Sequence, residues 1–167
     1  ASAETWKALF PAGAKASMIF TDAPYGVSYQ SNGFEIIEGD KKRRDDLYRM
    51  LVQSLRGMVK HAADRAAFYI WHASTTREDF FQAMKAVGLV ERQYLMWVKP
   101  TAVFGRADYQ WAHEPAFYAS KDGHAPAFYG ERAETTVWHA QSVRRNETAI
   151  TIGNGILLLD GDGNTLY

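Results

Sequence analysis

Ser17-Met18-Ile19-Phe20-Thr21 runs straight into Asp22-Ala23-Pro24-Tyr25-Gly26, and the join between the two decides the fold. The first five residues are a short run of apolar and β-favouring side chains, the pattern of a buried strand. Asp, Pro and Gly then break it: Pro24 fixes φ and lacks an N–H, and Gly26 accepts backbone angles closed to other residues. The stretch predicts a strand ending in a turn. In open α/β sheets ligands sit beyond the carboxyl ends of strands, so this turn is the first candidate site.

Val27 to Asp40 is polar and glycine-containing, and the basic run Lys41, Lys42, Arg43, Arg44 follows it, together reading as a long loop. Leu47, Met50, Leu51, Leu55, Met58, Val59 and Ala62 recur at three- and four-residue steps and predict an amphipathic helix, with Asp45 or Asp46 placed to cap it. Ala66 to Trp71 is a second run of strand length. Thr75 with Glu78 three residues on has the form of a capping box for a second helix, with Phe80, Phe81, Met84 and Val87 inward and Gly88 as its stop. Glu91 to Lys99 predicts a third strand closed by Pro100. Pro115 to Ser120 predicts a fourth, reached through a loop too short for a crossover helix and therefore antiparallel to the third. This order is the back half of an open α/β sheet.

From Thr148 onward short apolar pieces alternate with glycine turns, so residues 1–140 read as the main unit and 141–167 as a small β appendage. Leu159-Asp160-Gly161-Asp162-Gly163 follows an apolar strand as a cofactor-binding glycine loop would. Such a loop needs a helix next, and four residues remain after Gly163, so a hairpin is the better reading.

The chain has 167 residues, 47% of them hydrophobic and 14% aromatic, enough for one domain with a real core and too apolar for a disordered chain. No apolar run approaches the roughly 18 residues of a membrane span. With no cysteine there is no disulfide framework or thiolate metal site, and no second histidine lies at helical spacing beside an acid to suggest another metal site. Ala1 to Phe10 lacks the pattern of a signal peptide, and a reducing cytoplasm is the expected compartment. The 19 Lys plus Arg balance 19 Asp plus Glu, which argues against coating nucleic acid by bulk charge and leaves room only for a local site.

Asp22-Ala23-Pro24-Tyr25, set in Ile-Phe-Thr-Asp-Ala-Pro-Tyr-Gly-Val-Ser-Tyr, resembles the Asp-Pro-Pro-Tyr motif of the DNA amino-methyltransferases, which methylate the exocyclic amine of adenine or cytosine. A second block resembles phage-type and plasmid-type members: Trp97-Val98-Lys99-Pro100, Phe104-Gly105-Arg106, Asp108-Tyr109-Gln110-Trp111 and His113-Glu114-Pro115, continued by Tyr129-Gly130 and Thr136-Val137-Trp138. The resemblance spans about residues 8 to 139. It implies a partial Rossmann-like, S-adenosylmethionine-dependent methyltransferase fold, with double-stranded DNA as partner and Asp22, Ala23, Pro24 and Tyr25 as the catalytic set. An isolated Asp-x-Pro-Tyr also belongs to ordinary turns; strand placement and the second block favour the catalytic reading.

Chemistry supplies its own reason for such a motif. An amine conjugated to a base ring is a poor nucleophile, and two acceptors holding its hydrogens can draw the lone pair out of conjugation. Asp22 offers a carboxylate and Ala23 a backbone carbonyl. By the resemblance, Tyr25 stacks on a base flipped from the duplex; flipping costs a few kcal/mol and stacking returns about 1–3 kcal/mol. Alanine at 23, where the family usually has proline, frees a φ angle at a cost of up to about 1 kcal/mol of pre-organisation but deletes no hydrogen-bonding atom, so weakened rather than abolished chemistry is expected.

Further expected substrate contacts are Tyr29, Lys99 and His113, with Lys41, Lys42, Arg43 and Arg44 on DNA phosphates, where binding would be salt-sensitive. Lys99 reads equally as a solvated charge, His113 as the partner of Glu114, His72 as a satisfied structural histidine, and Trp71, Trp97 and Trp111 as core or loop anchors. Arg144 and Arg145 are weaker phosphate candidates. Thr21 and Asp22 would touch the cofactor, yet the Phe-x-Gly-x-Gly motif that chiefly holds it in the family is not found. That fits a permuted order with the catalytic motif first, and predicts a catalytic half that alone is inactive and binds S-adenosylmethionine poorly. Adenine N6 is favoured over cytosine N4; a degenerate, non-catalytic nucleic-acid-binding module is the competing reading, and methylation of an amide or RNA a third.

Overall fold

The computed structural model describes residues 6, 10, 13–26, 44–139, 148–152 and 155–159. Its elements in chain order are β1 (Ala16–Asp22), α1 (Arg44–His61), β2 (Ala62–Trp71), a 3-10 turn at Ser74–Thr76, α2 (Arg77–Ala86), β3 (Leu89–Val103), β4 (Trp111–Lys121) and β5 (Val137–His139), then β6 (Thr148–Ile152) and β7 (Gly155–Leu159). Five strands form one sheet in the order β1-β2-β4-β3-β5, and β6 and β7 pair antiparallel in a separate two-stranded sheet.

In the main sheet β1 runs parallel to β2 and β3 parallel to β5, while β4 is antiparallel to both β2 and β3. The expected antiparallel pairing of the third and fourth strands is therefore found, but β4 also inserts between β2 and β3. One consequence positions the site: the carboxyl ends of β1, β2, β3 and β5 and the amino end of β4 all lie along one edge.

Period-2 alternation sorts the strands into two faces. On one face Ala66, Phe68 and Ile70 of β2 and Phe117 and Ala119 of β4 pack with Leu47, Leu51 and Leu55 of α1 and Phe80, Ala83 and Met84 of α2, all essentially buried. Full burial of each phenylalanine here is worth roughly 1.5–3 kcal/mol, so this layer anchors the fold. The inward face of α2 is thus Phe80, Ala83 and Met84; Phe81 is only partly buried, beneath the Arg77 guanidinium at 5.4 Å and the Lys85 ammonium at 5.7 Å. The other face carries Ala67, Trp71, Leu95, Ala116 and Tyr118, flanked by Tyr69, Trp97 and Trp138, and among the described residues Tyr25 alone joins it from outside the strands. β1, expected as a buried strand, is instead the edge strand of the described sheet, with Met18 and Phe20 56% and 57% exposed, because only β2 pairs with it.

Several boundaries differ from the sequence reading. Arg44 opens α1 instead of ending a loop, which puts Asp45 and Asp46 inside the first turn, where carboxylates complement the helix dipole without capping it. The helix passes directly into β2 at Ala62, four residues before the expected strand start. The expected capping box does not form: the 3-10 turn moves the N-cap to Thr76, which makes no side-chain cap bond, and the Glu78 carboxylate accepts from Gln82 instead. Gly88 ends the helix region as expected, at φ +77°, its N–H donating to the Lys85 carbonyl. β3 continues through Pro100 to Val103, but the ladder with β4 is irregular between Val98 and Val103, which is where a residue without an N–H is tolerated. β5 is too short, at three residues, to show a periodicity.

Candidate active site

Asp22 is the last residue of β1, paired in register with Trp71 at the end of β2. Alternation along β1 turns Phe20 and Asp22 toward the face of Tyr69 and Trp71, and Ile19 and Thr21 toward the helices. The Asp22 carboxylate is exposed. Tyr25 folds back on it: the phenol donates a hydrogen bond to Asp22 Oδ1 at 2.5 Å, and the ring, half-buried, meets Phe80 edge-on at 6.3 Å.

The turn is held by Gly26, at φ +70°, where a Cβ would lie 2.8 Å from Leu47 Cδ2. The first turns of α1 therefore press on the backbone immediately after Tyr25, and only glycine fits both the space and the angle. Ala23 and Tyr25 also pack on the helix-side core. Burial pushes the Tyr25 hydroxyl well above the ordinary phenol range, helped by its bond to Asp22 and by the negative charges of Asp22 and Glu114. It is a neutral hydrogen-bond donor across the range where proteins are folded.

Glu114 stands on β4 opposite Trp97 of β3, and its carboxylate takes the Lys99 ammonium at 2.5 Å, the two side chains 27% and 16% exposed. The His72 backbone N–H donates to the Pro115 carbonyl at 3.2 Å and ties the end of β2 to the same stretch. The edge thus assembles the Tyr25–Asp22 pair beside the Lys99–Glu114 pair. Lys99 is not the solvated charge it could equally have been; it is a partly buried ion-pair partner. His113 does not pair with Glu114: its ring meets Trp111 at 5.9 Å, nearly perpendicular.

His72 is buried, its Nδ1 at 2.9 Å from the Ala73 carbonyl and its ring stacked on Phe117 at 4.5 Å. Burial lowers its pKa to about 4, against the smaller raising effect of the Ala73 carbonyl. It is buried as a structural histidine would be, but not satisfied as expected: among the described residues Nε2 has no hydrogen-bond partner. Trp71 and Trp97 anchor the sheet's second face, whereas Trp111 is 46% exposed. Tyr29, Lys41, Lys42, Arg43, Arg144 and Arg145 lie outside the described residues, as does the Arg44 side chain.

Sequence reasoning missed Glu114 as a neighbour of the motif. Its signal, a carboxylate in the second block, was visible, but its place beside Tyr25 depends on the insertion of β4. Among the described residues no group of three or more His, Asp or Glu is arranged to hold a metal ion, and no helix is long and apolar enough to cross a membrane.

The crystal structure of M1.HpyAVI superposes with a TM-score of 0.59 at 15% identity, over 83% of this chain and 62% of that one. The fold is shared. The M1.HpyAVI–SAM complex gives a TM-score of 0.54 at 16% identity, over 79% of this chain and 57% of that one. The partial Rossmann-like α/β fold expected from the resemblance is the fold found, and it is shared with these two structures. The chain spans less than two thirds of the length of either structure. No family model and no curated protein matches it.

Proposed function

We propose that this chain is the catalytic portion of a DNA amino-methyltransferase acting on the N6 amine of an adenine flipped out of double-stranded DNA. The observation that carries the reading is an exposed carboxylate and a half-buried phenol, joined by a hydrogen bond at the carboxyl end of β1, in a fold shared with M1.HpyAVI and its SAM complex.

Asp22 and the Ala23 carbonyl accept the two amine hydrogens, which turns the nitrogen lone pair out of the ring system. For that, the Tyr25 hydroxyl gives up Oδ1 to the amine, and its ring stacks on the base. Asp22 is then the acceptor within reach for the proton the amine loses. The Lys99–Glu114 pair neutralises its own charges beside this site and leaves Asp22 as the acidic group facing the substrate.

S-adenosylmethionine, when bound, supplies an electrophilic methyl group on a sulfonium. The Asp22 carboxylate and the exposed Phe20 ring suit a cation attached to a purine, so the residues here fit one side of that group. Among the described residues, Lys99 is held by Glu114 and is not free to meet its amino-acid carboxylate. Thr21, directed to the helix face, is a poorer candidate for cofactor contact than Asp22. Residues 141–167 are proposed as a separate β appendage.

Incubating the whole protein with S-adenosylmethionine and unmodified duplex DNA, then analysing the nucleosides by mass spectrometry, tests the reading. N6-methyladenine is expected. N4-methylcytosine would correct the base. No methylated nucleoside would favour the degenerate binding module, the reading that Ala23 in place of the usual proline supports.

A further inference from the structure

The β3–β4 hairpin runs out from the site edge past the Lys99–Glu114 pair, and its tip holds large rings in water. Phe104 is 84% exposed and Tyr109 is 90% exposed. The tip is a built turn: the Gly105 N–H donates to Gln110 Oε1 at 2.6 Å, and Gln110 Nε2 donates to the Ala107 carbonyl at 2.8 Å. Val103 pairs with Trp111 below it. These rings are therefore presented by a closed loop at the edge that carries Asp22.

Arg106 and Asp108 cancel in charge between the rings, so attraction to phosphates does not explain this surface. What the tip offers is a set of flat π faces, Phe104, the Arg106 guanidinium and Tyr109, with Trp111 at its base. Such faces suit nucleobases, which stack on aromatic and guanidinium planes whatever their sequence. From Glu114 to Trp111 is three residues, about 10 Å at ~3.3 Å per residue, and the tip lies beyond. Successive bases on a strand are about 3.4 Å apart. The tip thus reaches bases several steps from the target. Phe128 is exposed too, but the neighbouring Ala127 N–H bonds the Arg65 carbonyl near the start of β2, at the opposite edge.

We propose that the β3–β4 hairpin is a base-stacking element, with Phe104 and Tyr109 lying on DNA bases that flank the target nucleotide. This rests on the DNA-directed function proposed above. The test measures, by fluorescence anisotropy, binding of the whole protein and of its Phe104→Ala/Tyr109→Ala variant to a labelled mixed-sequence DNA strand and to the same strand made abasic. Both side chains are exposed, so the variant should melt as the parent does. The expected result is a loss of at least about tenfold in affinity for the intact strand, with no change for the abasic strand. Equal affinity of both proteins for the intact strand, as a protein-docking role would give, overturns the proposal. So does an equal loss on both strands, which would mean phosphate contact. Failure of methyl transfer by the parent protein would remove the proposed reaction and leave this binding result standing.

Discussion

Tyr25 and Asp22, three residues apart, are joined by a 2.5 Å hydrogen bond in which the phenol donates to the carboxylate. The proposed mechanism needs both groups for the substrate, so this bond describes a resting arrangement in which the motif satisfies itself. Tyr25→Phe removes the bond and keeps the ring. Methyl transfer by this variant should stay within about threefold of the parent in kcat/KM, whereas Tyr25→Ala should lower it roughly tenfold to a hundredfold, the worth of one stacked base. Equal losses in the two variants, measured by steady-state kinetics, would place the function in the hydroxyl.

Gly26 and Gly13 both have positive φ, +70° and +84°, but only Gly26 has Leu47 against its missing side chain; among the described residues nothing lies within 4 Å of a Cβ at Gly13. Gly13→Ala should cost about 1 kcal/mol for backbone strain alone. Gly26→Ala should cost more, roughly 2 kcal/mol or above, because Leu47 is buried and cannot move aside freely. Urea unfolding midpoints compare the two. Equal costs would show that α1 does not clamp the turn.

His72 sets a pH dependence of stability. Its pKa falls from 6.5 to about 4 in the folded chain because burial disfavours the imidazolium. Between those values the unfolded chain takes up a proton that the folded chain refuses. Stability from the neutral histidine is therefore complete above pH 6.5 and is lost as pH falls toward about 4, a change on the order of 3 kcal/mol. His72→Phe should remove that part of the slope. Parallel acid profiles of the two proteins, followed by circular dichroism, would refute it.

Much of this was legible from adjacent residues. Strand β1 and its turn are written in ten consecutive positions, and Leu47, Leu51 and Leu55 repeat at the helical step that buries them. The failures lie where partners are distant or local signals compete. Thr75 and Glu78 have capping-box spacing, yet the 3-10 turn at Ser74–Thr76 takes up Thr75 and moves the cap to Thr76. A hairpin pattern shows that β3 and β4 pair, but not that β4 also pairs with β2, and only that second pairing brings Glu114 near Tyr25. The partner of Glu114 was hidden for the same reason: one-dimensional neighbours on a strand point to opposite faces, so Glu114 answers Lys99 across the ladder and not His113 beside it.

In the proposed reaction Asp22 binds the amine undergoing methylation. Transfer of labelled methyl from S-adenosylmethionine to duplex DNA by the whole protein carrying Asp22→Ala tests it most directly, with far-UV circular dichroism to show that the exposed position has not disturbed the fold. Transfer is expected to fall to background while the variant remains folded. Transfer at the rate of the parent protein would contradict it.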